Sequence, residues 1–157
     1  MNLIDVKSPA DLKGLSISEL TDLTAQARQA LMTKVSEHGG HFGPPMGAAE
    51  IIMALHYVFN SPVDKIVYDV SHQSYVHKMV TGRALAFLDH DHYDDVTGYT
   101  DPTESDHDFF NIGHTSTSIS LASGLATARN LKGDFENIIA IIGDGSLSGG
   151  EAFEGLD

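Results

Sequence analysis

Apolar residues recur along the first third of the chain with the spacing of two amphipathic helices. The first pattern starts behind Ser16-Ile17-Ser18-Glu19, which has the composition and spacing of a helix capping box. Gly39-Gly40 follows the last apolar position and predicts the end of this helix. The apolar positions that define the helix are Leu20, Leu23, Ala27, Ala30, Leu31 and Val35.

The second helical pattern follows His41-Phe42-Gly43-Pro44-Pro45-Met46-Gly47. The adjacent prolines predict that this segment is a rigid loop, because each proline ring fixes its own backbone angle. We expect the helix behind the loop to bury one face, formed by Ala48, Ile51, Ile52, Leu55 and Val58.

A run of apolar residues at 138–142 predicts a strand buried in a parallel sheet, and residues 66–70 predict a second strand. The run at 138–142 is too short for a helix, and Gly143 closes it. Between the two predicted strands, a run of small residues that begins near Ser118 and ends at Lys132-Gly133 predicts another helix. We find no repeat, linker or low-complexity tract. The pattern therefore predicts one α/β domain.

Gly143-Asp144-Gly145 lies at the tip of the strand predicted at 138–142. Open α/β sheets place ligands at the carboxyl ends of their strands, and the two glycines permit a positive φ and close approach of backbone to ligand. One carboxylate beside main-chain N–H groups suits a magnesium-bound phosphate. An ordinary turn and a degenerate dinucleotide fingerprint, with Ser148 in place of its third glycine, are the alternatives. A Walker P-loop is excluded, since no Gly-Lys-Ser/Thr occurs.

Gly113-His114-Thr115-Ser116-Thr117-Ser118 precedes the helix of small residues. Glycine, histidine and hydroxyl residues ahead of a helix make its amino-terminal end receptive to an anion. The hydroxyl groups fit capping and phosphate contact better than nucleophilic catalysis, because no Gly-x-Ser-x-Gly elbow is present.

Composition narrows the choice of partners. The 157 residues carry a net charge of −13, which argues against nucleic-acid and anionic-membrane surfaces. A phosphate would have to be held by a metal ion and main-chain amides rather than by a cluster of lysines. The chain has no cysteine, which excludes disulfides and thiolate chemistry, and no secretory signal or long apolar span. A cytoplasmic protein is the expectation.

Residues 89–108 are rich in aspartate and histidine and show no apolar period. We interpret this stretch as a solvated surface loop, with a structural metal site as the less favoured alternative. His38, His56 and His77 are expected to be structural or surface residues.

Three motifs in chain order resemble the 1-deoxy-D-xylulose-5-phosphate synthase family. They are Asp69-Val70-Ser71-His72-Gln73-Ser74-Tyr75-Val76-His77-Lys78, Gly113-His114-Thr115-Ser116-Thr117-Ser118-Ile119-Ser120 and Gly143-Asp144-Gly145-Ser146, supported by Leu55-His56-Tyr57-Val58-Phe59-Asn60 and Glu104-Ser105. The resemblance covers nearly the whole chain. It implies the thiamine diphosphate-binding fold, with residues 1–157 forming the amino-terminal part of an incomplete diphosphate domain.

The resemblance also implies roles for individual residues. Asp144 matches the family's magnesium ligand, and His41 matches a histidine near the reacting centre that helps with the polar groups of the substrate. The residues that match cofactor contacts are His72, Gly113, His114, Thr115, Gly145 and Ser146.

The implied reaction joins pyruvate to glyceraldehyde 3-phosphate with loss of carbon dioxide, using thiamine diphosphate and Mg²⁺. The product, 1-deoxy-D-xylulose 5-phosphate, serves isoprenoid and thiamine biosynthesis. A homodimeric full-length enzyme is implied, and the 157-residue chain by itself is expected to be inactive. The last predicted helix has barely begun at Asp157, which predicts a piece of a longer protein.

The chain departs from the family pattern at a few places. Pro44-Pro45-Met46-Gly47 looks more like transketolase, and Ser71 and Val76 replace a usual glycine and a usual proline. The family's second metal-ligating asparagine and the glutamate that activates the cofactor have no counterpart in this chain. A transketolase-like ketol-transfer subunit and a non-catalytic domain that binds a phosphate or a partner therefore stand as alternatives.

Overall fold

The computed structural model describes residues Met1–Asp157, which form two compact units. The first unit consists of Met1–Asn60 and His72–Gly98, and the second of Ser61–Ser71 and Tyr99–Asp157. Helices flank a parallel two-stranded sheet, so the predicted α/β class is confirmed. None of the helices combines the length and the hydropathy needed to cross a lipid bilayer.

Helix α1 (Ile17–His38) begins and ends where the sequence predicts. The Ser16 hydroxyl accepts the Glu19 main-chain N–H at 3.3 Å, and the Glu19 carboxylate accepts the Ser16 N–H at 2.8 Å. These reciprocal bonds satisfy two N–H groups that the helix itself cannot pair. The helix ends at Gly39, whose φ of +89° favours a residue without Cβ.

Helix α2 (Gly43–Val58) packs on α1 but differs from the prediction in two ways. Pro44 and Pro45 belong to its first turn rather than to a loop, since N–H groups there have no partner within the helix. The buried face is also rotated, so that Ile51 and Val58 are 55% and 63% exposed. The side chains buried instead are Pro45, Ala49, Ile52, Met53 and His56. The polar His56 occupies a core position, which a pattern of apolar residues cannot identify.

Short elements complete the first unit. They are 3-10 turns at Leu3–Asp5, Pro9–Leu12 and His90–Asp95, helices α3 (Tyr75–Lys78) and α4 (Leu85–Leu88), and a π-type turn at Met79–Arg83. Lys34 is 5% exposed, and its ammonium donates to the carbonyl oxygens of Ala86 at 2.9 Å and Tyr93 at 2.7 Å. This buried lysine therefore holds two of the short elements against α1.

The second unit is built on strands β1 (Lys65–Tyr68) and β2 (Ile138–Ile141), which pair in parallel from Lys65–Ile138 to Tyr68–Ile141. Helix α5 (Ser118–Lys132) packs on β2 and ends at Gly133 in the left-handed conformation, as predicted. Helices α6 (Asp144–Leu147) and α7 (Gly150–Leu156) follow β2.

Burial differs between the two strands of this sheet. Ile66, Val67 and Tyr68 of β1 are at most 2% exposed, and the second strand predicted at 66–70 is present. The burial predicted for both faces of β2 is wrong: the strand is only half-buried, because β1 is its one neighbouring strand. An open apolar groove runs along β2 and α5, between Ile119, Ala126, Ile138 and Ala140.

Candidate functional site

Two aspartates follow the carboxyl ends of the paired strands in the second unit. Asp69 comes directly after β1, and its main-chain N–H donates to the Ile141 carbonyl at 2.7 Å, which extends the ladder by one bond. Asp144 comes three residues after β2, is exposed and opens α6. Since parallel strands end at the same edge of a sheet, the predicted position of Asp144 at a strand tip is confirmed.

The glycines beside Asp144 do not adopt the positive φ that glycine permits. Gly143 is extended, with a φ of −72°, and Gly145 is not among the residues with positive φ. A Cβ added at Gly143 or Gly145 would meet no atom within 4 Å. Both glycines therefore leave the backbone open to a ligand, which is the second property that the prediction asked of them.

The carboxylate of Asp69 occupies the start of α5. Its Oδ1 accepts the Ser116 N–H at 2.9 Å and its Oδ2 accepts the Ser118 N–H at 3.0 Å, and the side chain is 1% exposed. Burial raises the pKa of the Asp69 carboxyl, but hydrogen bonds from the Ser118 main chain, the Ser146 side chain and the Ser116 main chain leave that pKa below its usual value. At neutral pH the Asp69 side chain is therefore a charged carboxylate that is paired with these hydrogen-bond donors.

This arrangement corrects part of the prediction for the start of α5. The helix end does receive an anion, as its composition indicates, but two of its amides already bind a carboxylate of the same chain. A phosphate would therefore have to contact the preceding residues, Gly113, His114 and Thr115. All three of these residues are exposed.

Ser116 connects this segment to the turn that contains Asp144. Its hydroxyl donates to the Ser146 carbonyl at 2.6 Å, and its own φ is +70°, in the left-handed region that serine rarely adopts. An open hollow of about 340 Å³ lies beside the segment, bordered by Gly113, His114, Thr117 and Glu151 among others. The structure therefore joins Ser116, which directly follows residues 113–115, to the start of α6.

Ser71 stands where the resemblance expects glycine. The backbone conformation at this position explains why glycine is usual in the family, and the bonds of the serine side chain explain how serine replaces it. Its φ is +70° and that of Val70 is +57°, a region in which glycine alone is unstrained. The Ser71 hydroxyl donates to the Ile112 carbonyl at 2.7 Å and accepts the Thr100 N–H at 3.0 Å. These buried bonds offset the backbone strain of a residue with a side chain.

His41 and His72 both lie in the first unit, whereas the other predicted site residues lie in the second. Their ring centroids are 5.5 Å apart and the rings meet edge to face. Both side chains are half-buried, and His41 borders a cavity of about 270 Å³ with Tyr75, Thr97 and other residues. Within this unit the structure brings together the two histidines that the resemblance selects.

Tyr75 holds His41 at two points. The Tyr75 hydroxyl oxygen accepts the His41 main-chain N–H at 3.2 Å and lies 3.3 Å from Nδ1 of the same residue. Glycines make room for this pair, since a Cβ at Gly40 would lie 2.8 Å from that hydroxyl and one at Gly98 would lie 3.3 Å from the imidazole. Because the hydroxyl proton can be donated to Nδ1, the geometry favours the tautomer with hydrogen on Nε2.

The remaining histidines of interest are structural or exposed. His56 and His77 are fully buried, and Nε2 of His56 lies 2.8 Å from Nδ1 of His77, which agrees with the structural role expected of both. In the acidic stretch, Nδ1 of His92 lies 2.6 Å from the Asp95 carboxylate, which raises the pKa of that histidine. No group of three or more His, Asp or Glu side chains has the arrangement of a metal site.

Comparison with known proteins identifies the family. Residues 3–157 match the family model described as 1-deoxy-D-xylulose-5-phosphate synthase. This chain belongs to the 1-deoxy-D-xylulose-5-phosphate synthase family. The family that the three motifs indicate is therefore confirmed.

Relatives in this family match almost the whole chain. The chain is 53% identical over 155 residues to the 1-deoxy-D-xylulose-5-phosphate synthase of Caldanaerobacter subterraneus subsp. tengcongensis, with 99% of the chain and 25% of that protein covered. It is 50% identical over 157 residues to the synthase of Symbiobacterium thermophilum, covering 100% of the chain and 24% of the relative. The chain thus spans about a quarter of the length of these synthases.

Sequence reasoning missed Asp69, Ser116 and Tyr75 as parts of the candidate site. One signal for Asp69 was available, because it lies near the end of the strand predicted at 66–70, just as Asp144 lies at the tip of the other. The other two depend on partners at a distance: Ser116 bonds residue 146, and Tyr75 contacts residue 41. Neither pairing follows from a local pattern.

Proposed function

We propose that this chain contributes the diphosphate- and magnesium-binding half of a thiamine diphosphate-dependent synthase. The proposed reaction condenses pyruvate with glyceraldehyde 3-phosphate, with decarboxylation, to 1-deoxy-D-xylulose 5-phosphate. The observation that carries the proposal is the exposed Asp144 at a strand tip, in a turn that Ser116 joins to residues 113–115. The names of the matching relatives support this reaction over others.

The residues at this edge fit a magnesium diphosphate. Asp144 would supply a carboxylate oxygen for Mg²⁺, and the open backbone at Gly113 and Gly145, with the neighbouring Ser146, would supply amides for phosphate oxygens. No lysine or arginine occurs between Ala84 and Ala128 or after Lys132. The negative charge of the diphosphate would therefore be balanced by the metal ion. His114 and Thr115 complete the proposed set of contacts.

In the first unit, we assign His72 to the cofactor and His41 to the substrate. When bound, thiamine diphosphate would supply the nucleophilic carbon for decarboxylation and carbon–carbon bond formation. His41, with its Nδ1 turned toward Tyr75, would present Nε2–H to a carbonyl or hydroxyl oxygen of the substrate. Holding that hydrogen in one place is the contribution that this chain makes to the reacting centre.

A transketolase-like subunit is the second candidate, favoured by Pro44-Pro45-Met46-Gly47 at the start of α2. A complete enzyme that carries this segment separates the two candidates. We expect it to release carbon dioxide from pyruvate and to form deoxyxylulose phosphate, whereas ketol transfer between sugar phosphates without decarboxylation would support the transketolase reading. A homodimer in the cytoplasm and inactivity of the 157-residue chain alone remain predictions.

Amide NMR spectra of the isolated chain test the binding proposal directly. We expect thiamine diphosphate with Mg²⁺, at millimolar concentration, to shift the amide signals of residues 113–115 and 143–146 more than any others in the second unit. Thiamine without phosphates is the matched control and should leave those signals in place. Equal effects of both ligands, or shifts confined to other residues, would contradict a diphosphate site here.

A further inference from the structure

The carboxylate of Asp69 is a buried charge that neither Mg²⁺ nor diphosphate is proposed to touch. It faces two main-chain donors, one on each oxygen, at 2.9 Å from Ser116 N and 3.0 Å from Ser118 N. Removing a charge from water is costly unless hydrogen bonds compensate for it. A carboxylate accepts on both oxygens, whereas the amide of asparagine accepts on one only. The geometry therefore requires aspartate at this position, not merely a polar residue of the same size.

The position of Asp69 links it to both proposed contact segments. Its main-chain N–H bonds the Ile141 carbonyl at the end of β2, and the next residue, Val70, donates its N–H to the His114 carbonyl at 3.3 Å. Its side chain holds Ser116, whose hydroxyl bonds the Ser146 carbonyl at 2.6 Å. Asp69 therefore touches the strand before Asp144 and the serine that bonds the α6 turn, and its neighbour Val70 touches the segment that contains His114.

The same contacts decide where a phosphate can bind. Because the Ser116 and Ser118 amides already serve a carboxylate, a diphosphate meets Gly113, His114, Thr115 and the α6 turn instead. The φ of Ser116 is +70°, in the left-handed region, and this residue turns the chain between residues 113–115 and the start of α5. Without the carboxylate, the bond from the Ser116 hydroxyl to Ser146 would have to hold that strained conformation alone.

We infer that Asp69 is a positioning residue for the diphosphate site, and that it sets the distance between residues 113–115 and the Asp144 turn through Ser116. This inference rests on the proposed function and deepens it. Asp69 acts through Ser116 and Ser146 and does not contact the ligand itself. Its loss weakens binding because the two groups of amides are no longer held in one arrangement before the ligand arrives.

The matched control is Asp64, at the opposite end of the same strand pair. Asp64 is also buried, at 6% exposure, and its Oδ1 accepts both the main-chain N–H of Asn137 at 2.7 Å and its side-chain amide at 2.9 Å. Both aspartates therefore join the ends of β1 and β2 through hydrogen bonds. Only Asp69 leads to the proposed phosphate contacts, so a purely structural role predicts similar effects of the two substitutions.

The test compares Asp69→Asn with Asp64→Asn in the 157-residue chain, with inorganic diphosphate and Mg²⁺ as the probe. Affinity is measured by NMR titration at a temperature where circular dichroism shows each variant folded. We expect Asp69→Asn to weaken binding about tenfold or more, in line with the loss of a hydrogen bond to a charged group, and Asp64→Asn to change it less than twofold. Equal affinity for Asp69→Asn and the parent chain would overturn the inference.

Spectra without ligand separate this inference from the proposed function. We expect Asp69→Asn to shift the amides of residues 113–115 and 144–147 together, and Asp64→Asn to leave both groups unchanged. If the parent chain binds no diphosphate, the proposed function fails. The shifts of the ligand-free variants still test whether Asp69 positions residues 113–115 and 144–147. If Asp69→Asn does not fold, Ser116→Ala decides, because it breaks the bond to Ser146 and keeps the charge paired at Ser118. Wild-type spectra and affinity for Ser116→Ala would then overturn the inference.

Discussion

Gly149 lies so close to Ser116 that a Cβ at position 149 would overlap the Ser116 hydroxyl. The Gly149 N–H also donates to the Ser146 carbonyl at 3.1 Å, the same oxygen that accepts the Ser116 hydroxyl. The φ of Gly149 is −75°, so glycine is needed here for space and not for conformation. The absence of a side chain at Gly149 thus leaves the space in which Ser116 contacts the α6 turn.

Gly149→Ala should therefore disrupt the candidate site. We expect it to destabilise the chain by about 1–3 kcal/mol, as overpacking does, and to weaken binding of magnesium diphosphate. Gly150→Ala is the matched control, because a Cβ at Gly150 meets no atom within 4 Å and alanine favours the helix that starts there. Urea denaturation and NMR titration measure the two effects. Similar results for the two variants would show that Ser116 moves aside without consequence.

Tyr75→Phe should alter the imidazole of His41. Removal of the hydroxyl leaves Nδ1 without the donor at 3.3 Å, so we expect a larger share of the tautomer with hydrogen on Nδ1. The ¹⁵N chemical shifts of the His41 ring report this ratio directly. Tyr57→Phe, in the last turn of α2 in the same unit, serves as the control and should leave the ring signals unchanged. Unaltered ring shifts in Tyr75→Phe would remove Tyr75 from the site.

Acid should abolish the contribution of Asp69 to stability. Its folded pKa is depressed below the usual 3.8, so the folded protein binds fewer protons than the unfolded chain near that pH. The stabilisation is then present above the unfolded pKa and is lost as the pH falls through the folded pKa. The free energy of unfolding of the parent chain should exceed that of Asp69→Asn by about 1.5–3 kcal/mol at neutral pH.

This difference should begin to shrink below about pH 4, as the carboxylate of the parent chain takes up a proton. Urea denaturation of both proteins between neutral pH and the lowest pH at which they fold gives the measurement. A difference that stays constant into the acid range would mean that the charge of Asp69 is not what stabilises the start of α5.

Local signals were sufficient for much of the fold. The capping box at Ser16, the terminating glycines Gly39 and Gly133, and the apolar runs before Asp69 and Asp144 all appear in the structure close to their predicted places. Each of these signals consists of a few neighbouring residues, so it can be recognised in the sequence without knowledge of distant contacts. The α/β class and the location of Asp144 follow from them.

Features that depend on distant partners were not predicted. The buried face of α2 includes the polar His56, whose Nε2 lies 2.8 Å from Nδ1 of His77, 21 residues away. The start of α5 was expected to be available for an external anion, yet the internal carboxylate of Asp69 occupies it from 47 and 49 residues away. Periodicity and motif spacing do not reveal such pairings.

Manganese relaxation tests the central claim, that Asp144 binds a divalent ion together with a diphosphate. Mn²⁺ replaces Mg²⁺ and broadens nearby amide signals, so we expect broadening of residues 113–115 and 143–146 when both Mn²⁺ and diphosphate are present. Asp144→Asn should abolish this broadening, while Asp134→Asn, at another exposed aspartate of the same unit, should preserve it. Broadening that persists in Asp144→Asn, or that centres on residues 89–95, would contradict the account.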